Sequence, residues 1–325
     1  MIATILRVFW IVTLVTASLV AWLSVRLFGS TIGPWAAGLA GFALVFAIHP
    51  ALVAINFITS RIAGDRVPVA FQLSLWQAIK TYDAEVDASI RGFWIATPFL
   101  LHRPAASPMQ TAAPNLHRHV RPLAILFVHG YFCNRAIWLS FMRAAAARGY
   151  LCEALTLPQP FGPIESNASI VDTAIDELLA RATREKAGAD RVVIVAHSMG
   201  GLVVRAALRS IDATRVAHVI TLGTPHHGTF TARYWNIPSV VQMRLDSPWL
   251  KALDAEEMQQ GNGLPRSAYT TLFSHHDNLV FPQETARLEG AHEIAIGGVG
   301  HVALVYDERV RTIVFSRLEE IESFD

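Results

Sequence analysis

Val192-Val193-Ile194-Val195-Ala196-His197-Ser198-Met199-Gly200-Gly201-Leu202-Val203-Val204-Arg205 is an apolar, β-branched run that stops at a small-His-Ser-Met-Gly turn and continues as a second apolar segment. The β-branched part reads as a buried strand and the part after the turn as a helix. At a sharp strand-to-helix bend a serine hydroxyl stands exposed, and small neighbours let adjacent backbone pass closely. Ser198 is therefore the candidate nucleophile. A serine in this setting can also serve only as a helix cap, so the surroundings have to decide.

Those surroundings alternate short apolar strands with helices, the pattern of a mostly parallel sheet covered on both faces. Strands are expected at 123–128, 150–155, 191–196, 216–222, 267–273 and 293–296. A helix between the second and third carries a buried stripe of Ile170, Val171, Ala174, Ile175, Leu178 and Leu179, with Ser166 or Asn167 as its cap. There is no internal repeat.

A serine hydroxyl is a weak nucleophile near neutral pH, so it needs a histidine base, and the base needs a carboxylate to fix its tautomer. In doubly wound α/β enzymes that carry a serine turn of this kind, the chain order is Ser, then Asp or Glu, then His, the last two on loops after late strands. Asp277 lies after the fifth strand in Ser274-His275-His276-Asp277-Asn278, and His301 after the last in Gly297-Gly298-Val299-Gly300-His301. Among thirteen histidines position is what selects His301, because His275 and His276 fall before the expected place. Asp246 and Asp254 fall in a segment that reads as a cap. The donors for a developing oxyanion are expected at the backbone N–H of Met199 and, on His129-Gly130-Tyr131-Phe132 after the first strand, at that of Tyr131. Losing one such donor costs about 2.7–4 kcal/mol of transition-state stabilisation.

With these pieces in place the chain resembles α/β-hydrolase lipases and esterases of bacterial type. The resemblance rests on Val128-His129-Gly130-Tyr131, on Ala196-His197-Ser198-Met199-Gly200-Gly201-Leu202, on Leu222-Gly223-Thr224-Pro225-His226-His227-Gly228-Thr229, on the Asp277 loop and on Gly300-His301. Ala196 stands where the common pattern has Gly, a variant similar to the turn of small Bacillus-type lipases, whereas the Gly223 to Thr229 segment is similar to that of larger lipases. The resemblance implies an α/β-hydrolase fold, a Ser198-Asp277-His301 triad and no cofactor. No calcium or other metal site is evident. His226 and His227 are expected to shape their loop rather than touch substrate. From Phe230 to Leu264 the strand pattern stops. Ser247-Pro248 opens a helix with Trp249, Leu250 and Leu253, expected either to line an acyl site as a lid or to pack permanently on the sheet.

Composition adds a membrane. Charged residues make up 16% of the chain and apolar ones 52%, against roughly 25% charged in soluble domains, and the apolar excess sits in the first sixty residues. Residues 8–25 are uncharged between Arg7 and Arg26, and 32–58 carry only His49 as an ionisable group. Spanning a bilayer takes about 20 apolar residues, so the two runs, joined at Gly29-Ser30-Thr31, read as two transmembrane helices in a hairpin. Arg7, Arg61 and Arg66 outweigh Arg26, which places both ends and the hydrolase domain on the cytoplasmic side. The expected organisation is a membrane hairpin at 1–66, an amphipathic helix and Pro-rich linker at 67–121, and the catalytic domain at 122–325 with a cap at 230–264. In the amphipathic helix, Leu73, Trp76, Ile79, Val86 and Ile90 form an apolar stripe that suits either the catalytic core or the bilayer surface.

A net charge of +1 offers nothing to nucleic acid. Cys133 and Cys152 fit one disulfide or two free thiols, and sequence does not decide oligomeric state. The expected activity is hydrolysis of carboxylic esters of lipid or acyl substrates by a membrane-anchored serine hydrolase. Acyl transfer or thioester cleavage by the same groups is the nearest alternative, and a non-catalytic membrane binding module on the same fold is the alternative of another class.

Overall fold

A computed structural model describes residues 1–102, 121–259 and 263–324. The expected Pro-rich linker lies almost wholly outside these residues. Six parallel strands form one sheet in the order β2-β1-β3-β4-β5-β6: β1 Leu123–Val128, β2 Cys152–Leu155, β3 Arg191–His197, β4 Val216–Leu222, β5 Tyr269–Ser274 and β6 His292–Ile296. Tyr150 and Leu151, expected in the second strand, precede it. All six residues of β1 are buried, as befits a strand covered on both faces. Because every pairing is parallel, the carboxyl ends of β1, β3, β4, β5 and β6 all open toward one edge, where ligands of open α/β sheets bind.

On one face the core holds Val171, Ile175, Leu178, Leu202 and Val203, and on the other Phe141, Met142, Val314, Phe315 and Leu318. The helix between β2 and β3 runs Ala168–Arg184 and buries Val171, Ile175 and Leu178 of the expected stripe, with Ile170, Ala174 and Leu179 half-buried against the core. Asn167, one of the two expected caps, stands at its N-cap position but makes no side-chain capping bond. A 3-10 turn, Ile164–Asn167, leads in, and the Asn167 amide is spent on Gln159, accepting from its N–H and donating to its C=O, each at 3.0 Å.

The N-terminal hairpin consists of α1, Ile2–Ile32, and α2, Pro34–Ala63. Its turn lies at Gly33, not at Gly29-Ser30-Thr31, which remain helical. Pro34 disfavours a helical residue before it and suits the first position of the next helix, and Gly33 between the two helices takes a φ of 85° that favours glycine. Close packing of the pair depends on Gly41, where any side chain would meet Ser24 and the Val20 carbonyl. Both helices are long and apolar enough to cross a membrane.

Helix α3, Leu75–Ser89, starts with a complete capping box at Ser74 and Gln77. Its orientation departs from the apolar-stripe reading. Thr81, Glu85, Ala88 and Ser89 face inward, while Trp76 at 64% and Ile79 at 40% exposure face out. The reason is long-range: inward-facing Glu85 receives two backbone N–H groups from residues 302 and 303, an attachment that periodicity cannot disclose.

The cap helix, Pro248–Gln259, is tied down by charge. Arg205, 0% exposed on the helix that follows Ser198 (Met199–Leu208), donates to Asp254 at 2.5 Å and to both Glu257 oxygens at 2.8 Å, and Arg266 closes the cluster. Leu250 and Leu253 are each 1% exposed, so this helix is packed on the domain. Replacing Asp254 and Glu257 by Asn and Gln would leave the Arg205 guanidinium buried without its charge partners, and breaking such a pair costs roughly 3–5 kcal/mol. Equilibrium denaturation of the double variant should show a loss of that size.

Candidate active site

Ser198 sits between β3 and its helix with φ 55° and ψ −131°, a conformation outside the ordinary regions for an L-residue and held only because the surroundings over-determine it. Those surroundings have no room for side chains. A Cβ on Gly130 would come within 2.7 Å of the Ser198 Cβ, and one on Gly200 within 2.6 Å of the His129 carbonyl. Thr224 Oγ1 donates to the Ser198 carbonyl at 2.8 Å, fixing the bend from the β4 side.

Ser198, His301 and Asp277 come together at the carboxyl edge of the sheet. Ser198 Oγ lies 2.9 Å from His301 Nε2, and His301 Nδ1 lies 2.8 Å from Asp277 Oδ2. The other Asp277 oxygen accepts the N–H groups of Leu279 at 2.8 Å and Val280 at 2.7 Å, which leaves Oδ2 aimed at the imidazole. Burial acts to lower the His301 pKa, but the charge and hydrogen bond of Asp277, with a further contribution from Glu85, outweigh it and raise the pKa above its ordinary value. A hydrogen-bonded chain of this kind can take the proton of the hydroxyl onto Nε2 while the carboxylate stabilises the imidazolium that forms.

Three consecutive backbone N–H groups after Gly300 are taken up by side chains. Asn278 Oδ1 accepts from His301 at 3.0 Å, and the two Glu85 oxygens accept from Val302 at 3.0 Å and Ala303 at 2.8 Å. Burial raises the Glu85 pKa against the lowering effect of those two donors. Sequence reasoning missed Glu85, which lies about two hundred residues from its partners. It also missed two histidines. His129 accepts the Leu157 N–H on Nε2 at 2.9 Å and therefore donates from Nδ1 to the Gly130 carbonyl at 2.8 Å. In a trans peptide the C=O and the following N–H point in opposite directions, so His129 fixes the facing of the Tyr131 N–H. His197 donates from Nε2 to the His301 carbonyl at 3.0 Å and has its Nδ1 buried without a partner. Burial lowers the pKa of both, that of His129 to about 4. The signal available in sequence was only their adjacency to Gly130 and Ser198.

Met199 begins its helix, so its N–H has no carbonyl within the helix to bond to. Tyr131 and Phe132 line a cavity of about 750 Å³ together with Ser198, His197 and His301. Trp249, Leu250 and Leu253 do not line it; the cap's contribution comes from Trp235, Val240 and Met243, because the Arg205 cluster turns Leu250 and Leu253 into the core. His226, fully buried, pairs with Thr221 Oγ1 at 3.1 Å and shapes its loop away from the cavity. Cys133 and Cys152 are buried free thiols pushed up to about 12. Among the described residues no group of three or more His, Cys, Asp or Glu side chains is placed to hold a metal ion.

A family model described as PGAP1-like alpha/beta domain matches residues 162–288. The chain is similar in structure to the Bacillus licheniformis lipase BlEst2 in mature form, with a TM-score of 0.54 and 21% identity over 63% of this chain and 96% of that one. It is also similar to Aspergillus fumigatus lipase B, with a TM-score of 0.51 and 18% identity over 61% of this chain and 52% of that one. The order of the strands, the bend at Ser198 and these likenesses agree: the chain has an α/β-hydrolase fold, joined to an N-terminal hairpin of two long apolar helices.

Proposed function

We propose that the protein is a membrane-anchored serine hydrolase that cleaves carboxylic esters of lipids. The observation that carries this reading is the hydrogen-bonded chain Ser198-His301-Asp277 at the wall of a cavity whose lining is almost wholly apolar. His301 takes the Ser198 proton as Oγ attacks the ester carbonyl, and the N–H groups of Met199 and Tyr131 receive the oxyanion. His301 then passes the proton to the leaving alcohol oxygen, and water activated by the same histidine releases the acid. Polar leaving groups of many kinds fit this scheme, whereas the apolar lining suits an acyl chain.

Ser198→Ala should remain folded and lose several orders of magnitude in turnover of lipid and short acyl esters, together with all labelling by a short alkyl fluorophosphonate. Product analysis on membrane lipids decides between hydrolysis and acyl transfer. A folded Ser198→Ala protein with turnover near that of wild type would falsify the assignment, and a wild-type serine that never labels would favour a binding module.

Because His301 must be neutral to act as base, and its pKa lies above the ordinary imidazole value, kcat/KM should fall on the acid side at a pH higher than about 6.5. Asp277→Asn removes the charge that raises the pKa and leaves burial to lower it. The acid limb should then move to lower pH while the plateau drops by about 10⁴-fold. A limb that stays in place would show that Asp277 is not the partner of the titrating group.

The hydrolase domain is placed on the cytoplasmic face, on the strength of Arg7, Arg61 and Arg66 against Arg26. The full-length chain should resist extraction by carbonate, and protease outside intact cells should leave the domain whole. Digestion with a cytoplasmic marker intact would reverse the orientation.

A further inference from the structure

The cavity at Ser198 is not closed by the hydrolase domain alone. One side of it is made by the hairpin: Ile5, Phe9, Val12 and Thr16 from α1, and Val45, Ile48 and Leu52 from α2, each set spaced along one helical face. The hairpin is attached to the domain at this level by a wedge. Trp94, in the π-helical turn Ile90–Ala96, packs edge-on against Trp10 and His49 and accepts the Trp10 indole N–H on its carbonyl at 2.7 Å. His49 meets Ser89 Oγ at 2.8 Å, and Tyr82 donates to the Pro50 carbonyl at 2.9 Å.

The depth of this wall in a bilayer follows from the arginines. Eighteen uncharged residues separate Arg7 from Arg26, about 27 Å of helix at 1.5 Å per residue, close to the hydrocarbon thickness of about 30 Å. With both guanidinium groups at the two interfaces, Phe9, Val12 and Thr16 lie inside the hydrocarbon. Gly41 packs level with Ser24 and Val20 on the antiparallel neighbour, which sets Val45 to Leu52 at the same depth. At these levels Ile11 and Val15, which do not line the cavity, are exposed, so lipid surrounds the hairpin at the height where its inner face meets the cavity. Trp76 and Ile79, exposed on α3, add apolar surface next to the second helix.

We infer that the hairpin is one wall of the acyl site, and that the acyl chain of a bilayer-resident ester reaches Ser198 sideways along α1 and α2 without crossing water. This inference rests on the proposed ester hydrolysis and narrows its substrate to long-chain esters held in the membrane. An aqueous route offers no reason for the Ser198 cavity to be walled by residues at hydrocarbon depth. For a chain already in the bilayer, the apolar wall continues the environment that it leaves, and no apolar surface has to be exposed to water on the way.

The test uses the full-length protein in phosphatidylcholine vesicles. A long alkyl fluorophosphonate bearing a diazirine at the chain end is allowed to react with Ser198 and is then photolysed, and the cross-linked peptide is sequenced. Cross-links at residues 5–16 or 45–52 are expected. Cross-links confined to residues 121–324 would overturn the hairpin wall while leaving the nucleophile in place, and failure to label Ser198 would overturn the hydrolase reading and this inference with it. In parallel, Val12→Trp should lower the ratio of kcat/KM for a vesicle-borne dioleoyl ester to that for a butyryl ester by tenfold or more. Val15→Trp, on the lipid-facing side, should leave that ratio unchanged. An equal ratio in the two variants, with Ser198 labelling retained in both, counts against the wall.

Discussion

One buried carboxyl group holds the two parts of this molecule in register. Glu85, 1% exposed, lies on a helix outside the sheet, yet it takes up the N–H groups of the two residues that follow His301. A carboxyl group is costly to bury, and this one is retained because each N–H left unsatisfied in its place would cost about 1–3 kcal/mol. The contact is crowded as well: Gly300 has no space for a side chain because Glu85 occupies it. Through Tyr82 and Ser89 on the same helix, the attachment extends to Pro50 and His49 of the hairpin. The loop bearing His301 and the apolar helices therefore share one rigid connection.

The parts of this arrangement that sequence disclosed are those whose cause is local. The β-branched run before Ser198, the small residues around it and the apolar stripe of Ala168–Arg184 act over a few residues, so their strands, bend and helix were legible. Asp277 and His301 were legible by chain order, which the parallel topology converts into proximity. What sequence could not give is anything decided by a partner far along the chain. The apolar residues of α3 form a stripe on paper, but the face that turns inward is set by Glu85, some 217 residues from Val302. Leu250 and Leu253 were legible as apolar, but sequence left open whether they line an acyl site or pack on the sheet, because the direction in which their helix faces is fixed by Arg205, 49 residues before Asp254. Gly33 was obscured for a different reason: Gly29, Ser30 and Thr31 nearby looked like a turn, while the constraint that breaks the helix comes from Pro34.

The hairpin also changes what an apolar cavity means. In a water-soluble protein an open apolar wall is a liability, and large exposed patches of this kind mark sites of interaction. Under the proposed membrane anchoring, the exposed apolar residues of α1 and α2 have lipid as their solvent, and the inner faces need not be sealed from it. Polar contacts at the same level are few: Trp10, Thr13 and Tyr82 each donate to a backbone carbonyl, and His49 pairs with Ser89, as a medium without water would require. Small residues at Gly38 and Gly41 bring the two helices together in the way that packing in lipid favours.

Three imidazoles crowd the end of β3, and their environments separate their roles. His129 has both ring nitrogens committed to backbone groups, and burial without a carboxylate keeps it neutral. His197 is ring to ring with His301 at 4.7 Å and is likewise neutral, because burial, and after it the charge on a protonated His301, lowers its pKa. Only His301 has a carboxylate within hydrogen-bond reach. In the proposed reaction a proton taken from Ser198 thus has a single stable location in the cluster, while the neutral pair hold the Gly130 peptide and the His301 carbonyl in place. Replacing either neutral ring by a group that carries charge would disturb the base without touching it, which is why the identity of these two side chains bears on the chemistry although neither is positioned to exchange a proton with the serine.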